Sequence, residues 1–345
     1  MKFLIITLVA TSFAQAADPA ILRSEFLFDP NPVPSCHATT IVETKAGLVA
    51  AWFAGTNEGK PDVCIWSSRN VDGKWTSPVK IADGTPWPCW NPVLFQPREG
   101  PLLLFYKVGP NPSGWWGMLK KSTDHGATWS EATRLPDRII GPVKNKPVQL
   151  ADGTILSGSS AEGLSPKPVW QIHFERSTDN GQTWQFVKVP QNESGPASIQ
   201  PSILFLGGLK LMALGRTQSG KLFSTTSADN GTSWSQPALL DLPNPNSGTD
   251  AVTLKDGRHL LIYNHMAPRG RSPLNLAVSI DGKAWNAALV LEDERASEFS
   301  YPAIIQTNDG LVHATYTWKR KLVKHVVIDP AKLTLKPIVN GEWPR

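Results

Sequence analysis

Ser122-Thr123-Asp124-His125-Gly126-Ala127-Thr128-Trp129 is the stretch whose chemistry decides the fold. Asp and Ser side chains can bond backbone amides inside a tight hairpin, and Gly permits positive φ. Trp supplies a large apolar ring to pack beneath the turn on a neighbouring strand. The pattern returns in full at Ser177–Trp184, and at Ser227–Trp234 with Ser233 in place of Thr. It is one residue shorter at Ser279–Trp285 and degenerate at Ser68–Trp75. Such residues serve the turn, so none of Asp72, Asp124, Asp179, Asp229 and Asp281 is a catalytic candidate.

A second series runs beside the first. Gly47, Gly100, Gly153, Gly208, Gly257 and Gly310 each sit between alternating apolar stretches, such as His259–Tyr263 after Gly257. Both series repeat at about 50 residues, and each unit reads as four short strands, the signature of a propeller blade. Six glycines predict an all-β, six-bladed β-propeller with four-stranded antiparallel blades, occupying residues 17–345 as one domain. The last unit has strands at Val312–Trp318 and Leu322–Ile328 but lacks a Trp turn. The segment Ile21–Phe28 is expected to supply its outer strand and close the ring, leaving no open sheet edge.

Composition agrees. The 345 residues include 27 Gly, 30 Pro and 14 Trp, with 18% charged and 41% hydrophobic residues. That balance opposes disorder and suits short strands joined by many turns. Lys2, the apolar run Phe3–Phe13 and Ala14-Gln15-Ala16 read as a cleavable secretory leader over residues 1–16. An exported, periplasmic or secreted protein without a membrane span is expected. The formal charge of +5 is mild, and no basic run exceeds Lys319-Arg320-Lys321, so nucleic acid is not an expected partner. An acidic small substrate is the better use of local positive charge. The three cysteines show no zinc spacing. Cys36 and Cys89, near the starts of adjacent blades, are candidates for a disulfide, and Cys64 reads as buried. No metal or cofactor is implied, and a monomer is expected.

Several such turns in a six-unit β pattern resemble the BNR/Asp-box family of the sialidase (neuraminidase) superfamily, and the resemblance covers nearly the whole mature chain. It implies a site on the propeller axis, where the first strand of each blade begins. It also implies three arginines on the substrate carboxylate, a Tyr nucleophile activated by a Glu, and an Asp acid/base. The first arginine's place, ten residues before Gly47, is His37 in this chain. Arg216, closing Leu211–Arg216, matches the second arginine, and Arg271 matches the third. Tyr301 fits the nucleophile by its spacing to Gly310, although Pro302 follows it. Gln200 falls where the activating Glu would stand, and an amide is no base. The acid/base loop is Ala54–Asp62, which offers Glu58 and Asp62; the alignment favours Glu58 as the loop acid and Asp62 as the residue starting the next strand.

The expected blade starts, His37, Asn91, Lys144-Asn145-Lys146, Gln200, Asp250 and Tyr301, are far more polar than the strands they introduce. Lys144 and Lys146 alternate, so both can face one side. They either replace the missing arginine as point charges or lie solvated at a rim. Arg216 and Arg271 are read as carboxylate ligands, with structural ion pairs as the alternative. Tyr301 is a nucleophile or ligand contact, or else a phenol at the core rim. Glu298 or Asp250 could activate it, and Asp250 could equally be a turn residue. His37 is a general acid/base, a ligand donor or a structural imidazole. Glu175 reads as a blade-side ion pair. Trp115 and Trp116, on a loop after a second strand, either stack on a sugar face or pack on the blade.

These readings predict a glycoside hydrolase of the exo-α-sialidase-like type, removing an acidic terminal sugar from glycans. A polysaccharide lyase on uronic-acid glycans and a non-catalytic glycan-binding propeller are the alternatives.

Overall fold

The computed structural model describes residues 18–163, 169–192 and 195–344, so the expected leader lies outside the described residues. The strands form six sheets around one axis. Blade one is built from Ser35–Thr44, Gly47–Gly55, Cys64–Val71 and Val79–Ala82. Blade two comprises Cys89–Phe95, Leu102–Val108, Trp116–Ser122 and Thr133–Arg134. Val148–Gln149, Ile155–Gly163, Val169–Ser177 and Gln185–Lys188 make blade three. Blade four runs from Ser198–Gly207 through Lys210–Thr217 and Lys221–Ser227 to Ala238–Pro243. Blade five holds Asp250–Thr253, His259–Tyr263, Leu274–Ser279 and Asn286–Glu292, and blade six Phe299–Gln306, Val312–Trp318 and Leu322–Ile328. There is no α-helix among the described residues, only a 3-10 turn at Pro330–Lys332.

The boxed hairpins show why this sequence makes blades. Asp124 Oδ1 accepts from Ser122 Oγ and the Thr128 amide, both at 2.8 Å, and Ser122 Oγ accepts from the Gly126 amide. The turn is therefore closed by side chains from within eight residues. Its glycine is needed twice: Gly126 has φ +84, and a Cβ there would meet Val49 of blade one at 3.2 Å. The tryptophan also reaches back one blade. Trp234 of blade four stacks on Phe174 of blade three at 3.8 Å between ring centroids, and Trp184 of blade three meets Phe105 of blade two edge-on. The hairpins are thus joints between blades. The hydrophobic core follows the same plan: Leu260, Ile262 and Leu276 of blade five pack with Ile304, Val312 and Ala314 of blade six.

The ring closes as the sequence predicts, by pairing Ile21–Phe26 with Leu322–Ile328. A polar clamp fixes the joint. Glu25 on the closing strand bonds His325 Nδ1 at 3.0 Å and Trp75 Nε1 of blade one at 3.2 Å. His325 Nε2 in turn bonds His313 Nδ1 at 2.9 Å, with the imidazoles stacked. Burial, then the neighbouring His325, pull His313 down to about 4. Burial also lowers His325, against the pull of Glu25. One strand was not foreseen: Lys336–Pro337 adds a fifth strand to the outer edge of blade five.

The expected Cys36–Cys89 disulfide is not formed. All three cysteines are free and buried. Cys36 packs with Trp52 and Ala54, whereas Cys89 packs with Ile65 and Val108 in a different cluster. Burial pushes the Cys36 thiol up to about 12 and Cys64 to about 11, so these thiols are unreactive.

Candidate functional site

Four inner strands reach the axis through a β-bulge. Pairing slips between His37 and Thr40, Trp90 and Val93, Ile199 and Ser202, and Ser300 and Ala303. Each slip carries a non-glycine residue at positive φ: Ala38 (+56), Asn91 (+31), Gln200 (+58) and Tyr301 (+50). Bulges of this kind re-aim a side chain, and the strained backbone needs a rigid surround. Pro92, Pro201 and Pro302 follow three of these residues, and a missing N–H does no harm where the ladder is broken.

Tyr301 stands at the centre of the resulting cluster and is 8% exposed. Its hydroxyl accepts from Arg216 Nη2 at 3.0 Å and lies 3.5 Å from Gln200 Nε2. Arg216, Arg271 and Lys144 lie 5.4, 5.6 and 5.8 Å from its ring centroid. The His37 ring is 4.2 Å away. Gly248 packs flat against the phenol, and a Cβ there would meet the ring at 3.1 Å. Burial lowers His37 far below its ordinary value, helped by Arg320, Arg271, Arg216 and Lys144, so the imidazole is neutral. Its Nδ1 bonds Thr317 Oγ1 at 3.0 Å. The arrangement concentrates positive charge around a phenol, and no carboxylate bonds its hydroxyl among the described residues. Gln200 Oε1 and Arg216 Nε are buried without protein partners. Unpaired buried polar atoms are costly, and a polar ligand or water would satisfy them.

Three axial residues have other work. Lys144 Nζ donates to Asn145 Oδ1, Thr249 O and Pro302 O. Those bonds use all three ammonium donors, so Lys144 supports the Tyr301 strand and has none left for a ligand carboxylate. Burial pulls it down to about 7, against the attraction of Asp250. Lys146 bonds Asp250 Oδ2 and Ala251 O, and lines a separate recess with Thr44, Gln96 and Gln306 at the far ends of inner strands. The expectation that both lysines face one pocket therefore fails: their alternation is broken by Lys144 folding beneath Tyr301. Asp250 accepts from Ser202 Oγ, Lys146 Nζ and the amides of Ala251 and Ile304. It is a buried brace between blades four, five and six, and it does not contact Tyr301 as a base.

A chain of ion pairs borders the cluster. Arg271 Nη1 bonds Glu298 Oε1 at 2.7 Å, Arg320 Nε bonds the same oxygen at 2.6 Å, and Arg320 Nη1 reaches Glu58 Oε2 at 2.5 Å. Burial raises the Glu298 carboxyl, but the two guanidiniums and Ser300 outweigh it and hold it below its ordinary value. Glu298 thus anchors arginines instead of serving Tyr301. Arg320 is the cation that sequence reasoning missed. It sits in the hairpin between the second and third strands of blade six, and the run Lys319-Arg320-Lys321 at a turn was the available signal. Glu58 lies on the loop after the second strand of blade one, as expected. Asp62 pins that loop instead, accepting from the amide and hydroxyl of Thr56.

The other flank is aromatic. His37, Phe53, Trp90 and Trp115 form a run of ring contacts at 5.6, 6.2 and 6.0 Å, leading from the axis to the loop after the second strand of blade two. Trp116 belongs to the blade: it starts a strand, packs on the core and carries Arg134 over its ring. Asn91 is buried at its bulge, and its side chain makes no hydrogen bond within the described residues. Glu162, also unforeseen, is raised by burial while Arg216 and Trp170 draw it down. Glu175 accepts from His173 and from the Ile140 and Gly141 amides, which ties its strand to the segment preceding Lys144.

Comparison with known proteins adds context. The BNR repeat-like domain family matches residues 46–314. A sialidase of Bacteroides fragilis is 22% identical over 255 residues, covering 65% of this chain and 45% of that protein, so this chain spans under half the length of its curated relative. Among solved structures, the intramolecular trans-sialidase of Ruminococcus gnavus superposes with a TM-score of 0.74 at 15% identity, covering 92% of this chain and 100% of that one. A protein of unknown function from Dyadobacter fermentans gives 0.74 at 18% identity, with 90% and 99% covered. The NanB sialidase of Streptococcus pneumoniae gives 0.71 at 14% identity, covering 90% and 71%. At these identities the likeness to solved structures establishes the propeller fold.

Proposed function

Because the chain belongs to the BNR repeat-like domain family, we propose that it is an exported glycoside hydrolase of the sialidase-like type, removing an acidic terminal sugar from glycans. The observation that carries this reading is the Tyr301 hydroxyl held by Arg216, with Arg271 beside the ring. Guanidinium groups hold a carboxylate better than ammonium groups do, because their donors match it in pairs. Arg216 and Arg271 would orient the sugar carboxylate, with Arg320 behind them. Tyr301 would then attack the anomeric carbon as the bond to the leaving oxygen breaks, with the neutral His37 beside it as the group that takes the phenol proton. Glu58 is the acid for the leaving oxygen. Arg320 holds it in the free protein, and a ligand carboxylate competing for Arg320 would free it to turn towards the leaving oxygen.

One observation favours a second reading. The residue beside the Tyr301 hydroxyl is an amide, Gln200, and the neighbouring His37 is neutral. A uronate lyase needs cations to neutralise the carboxylate and a base to take the adjacent proton, which Tyr301 and His37 could share. The purified protein should be assayed on aryl sialosides and on uronate-ended oligosaccharides. Release of a saturated acidic sugar supports the hydrolase. An ultraviolet-absorbing unsaturated product supports the lyase. Binding with no turnover of any substrate supports the non-catalytic propeller.

A further inference from the structure

Beside the axial cluster lies a recess of about 460 Å³, whose lining includes Asn246, Arg269, Arg271 and Glu298. It shares walls with the cluster. Arg271 flanks the Tyr301 ring, and the Asn246 carbonyl accepts from Arg216 Nη1 at 3.2 Å. Whatever occupies the axis therefore has its neighbouring part directed here or across to the aromatic flank.

The charges in this recess do not cancel. Its one carboxylate, Glu298, is already shared by Arg271 and Arg320. Arg271 spends only Nη1 on that pair, and Arg269 is exposed and makes no bond to the protein among the described residues. Asn246 Oδ1 is buried and unpartnered, so the wall also offers an acceptor for a hydroxyl. A guanidinium without a carboxylate, next to a hydroxyl acceptor, suits an anionic substituent on a sugar.

We propose that this recess is a second anion subsite, in which Arg269 binds a carboxylate or sulfate ester on the sugar next to the one held at Tyr301. The preferred ligands are then glycans carrying negative charge on two successive units. This inference rests on the reading of the axial pocket as a site for acidic glycans. The aromatic flank, by contrast, would take an uncharged neighbour by stacking on Trp115. The two flanks thus compete to orient the chain, and the charge of the second sugar decides between them.

The test uses matched pairs of oligosaccharides with an acidic terminal sugar, sialic acid in one pair and glucuronate in the other. Within each pair the second sugar does or does not carry a sulfate ester, and a third member of each set carries a carboxylate there. Affinity is measured by calorimetry on wild type and on Arg269→Ser. Wild type is expected to bind the doubly charged member about ten-fold more tightly, an advantage that shrinks as salt rises. Arg269→Ser should abolish that preference and leave affinity for the singly charged member unchanged. Equal binding of both members by wild type, or a preference that survives Arg269→Ser, overturns the subsite and leaves the axial reading standing. If no member of either set binds, the axial reading falls and the subsite falls with it. Sulfate favoured over carboxylate, or the reverse, identifies which anion the recess accepts.

Discussion

At the rim of blade four, Asp229 takes its bonds from Ser227 and Ser233, two and four residues away. At the axis, Glu298 takes its bonds from Arg271 and Arg320, while Arg320 reaches Glu58 across 262 residues of sequence. Both are carboxylates saturated by donors. One closes a hairpin, the other holds two guanidiniums beside a phenol. Polar residues at the rim stabilise the blades, while Arg216, Arg271 and Arg320 gather positive charge beside Tyr301. Changes in the two places should therefore separate activity from stability.

Tyr301→Phe should have the gravest consequence for activity. It should lower kcat/KM by about a thousand-fold or more, the scale lost when an essential nucleophile is removed. The melting temperature should stay within a few degrees, because only a hydroxyl is removed. A variant of near wild-type activity would show that Tyr301 is only a wall of the pocket.

Trp234→Ala is the converse. The indole is 4% exposed and stacked on the preceding blade, so its loss should cost about 3–5 kcal/mol in denaturant unfolding. The folded fraction should keep its kcat/KM. A large loss of activity at full folding would mean that the rim and the axis are coupled.

Arg320→Ala should raise KM by about ten- to a hundred-fold, as expected for losing a charge-assisted contact to an anion. An unchanged KM would return Arg320 to a purely structural role.

The smallest effect concerns the closing strand. His313 and His325 have pKa values lowered on folding, so the unfolded chain binds more protons than the folded one. Stability is then full above about pH 6.5, the ordinary histidine value, and falls as pH drops towards about 4, where His313 itself takes up a proton. Glu25, Arg23 and Asp309 face the same pair. The melting temperature should fall by several degrees across that window, and His313→Phe should flatten the fall. An equal fall in the variant would place the acid sensitivity elsewhere.

The same contrast explains what could be read from the sequence. The boxed hairpins are written within eight residues, so the repeat and the blade count were legible, as was the closing strand, expected over Ile21–Phe28 and found over Ile21–Phe26. Blade starts could be placed along the axis by position in the repeat, which set His37, Gln200 and Tyr301 side by side, while Arg216 and Arg271 came only from the resemblance to the sialidase superfamily. What each contacts was not legible. Lys144 meets Pro302 from 158 residues away, and Lys146 meets Asp250 from 104. Spacing along one strand gives alternation but not the fold of a long side chain beneath a neighbour. The disulfide failed for the same reason: adjacent blade starts need not bring two thiols into one cluster.

On the proposed reading, the axial arginines hold a ligand carboxylate against Tyr301. The direct measurement is the affinity of wild type and Arg216→Ala for an acidic sugar glycoside and for its neutral carboxamide counterpart. Wild type is expected to bind the carboxylate at least a hundred-fold more tightly than the amide, and Arg216→Ala should lose most of that difference while binding the amide as before. Equal affinity of wild type for the two glycosides would show that the arginines do not hold the carboxylate.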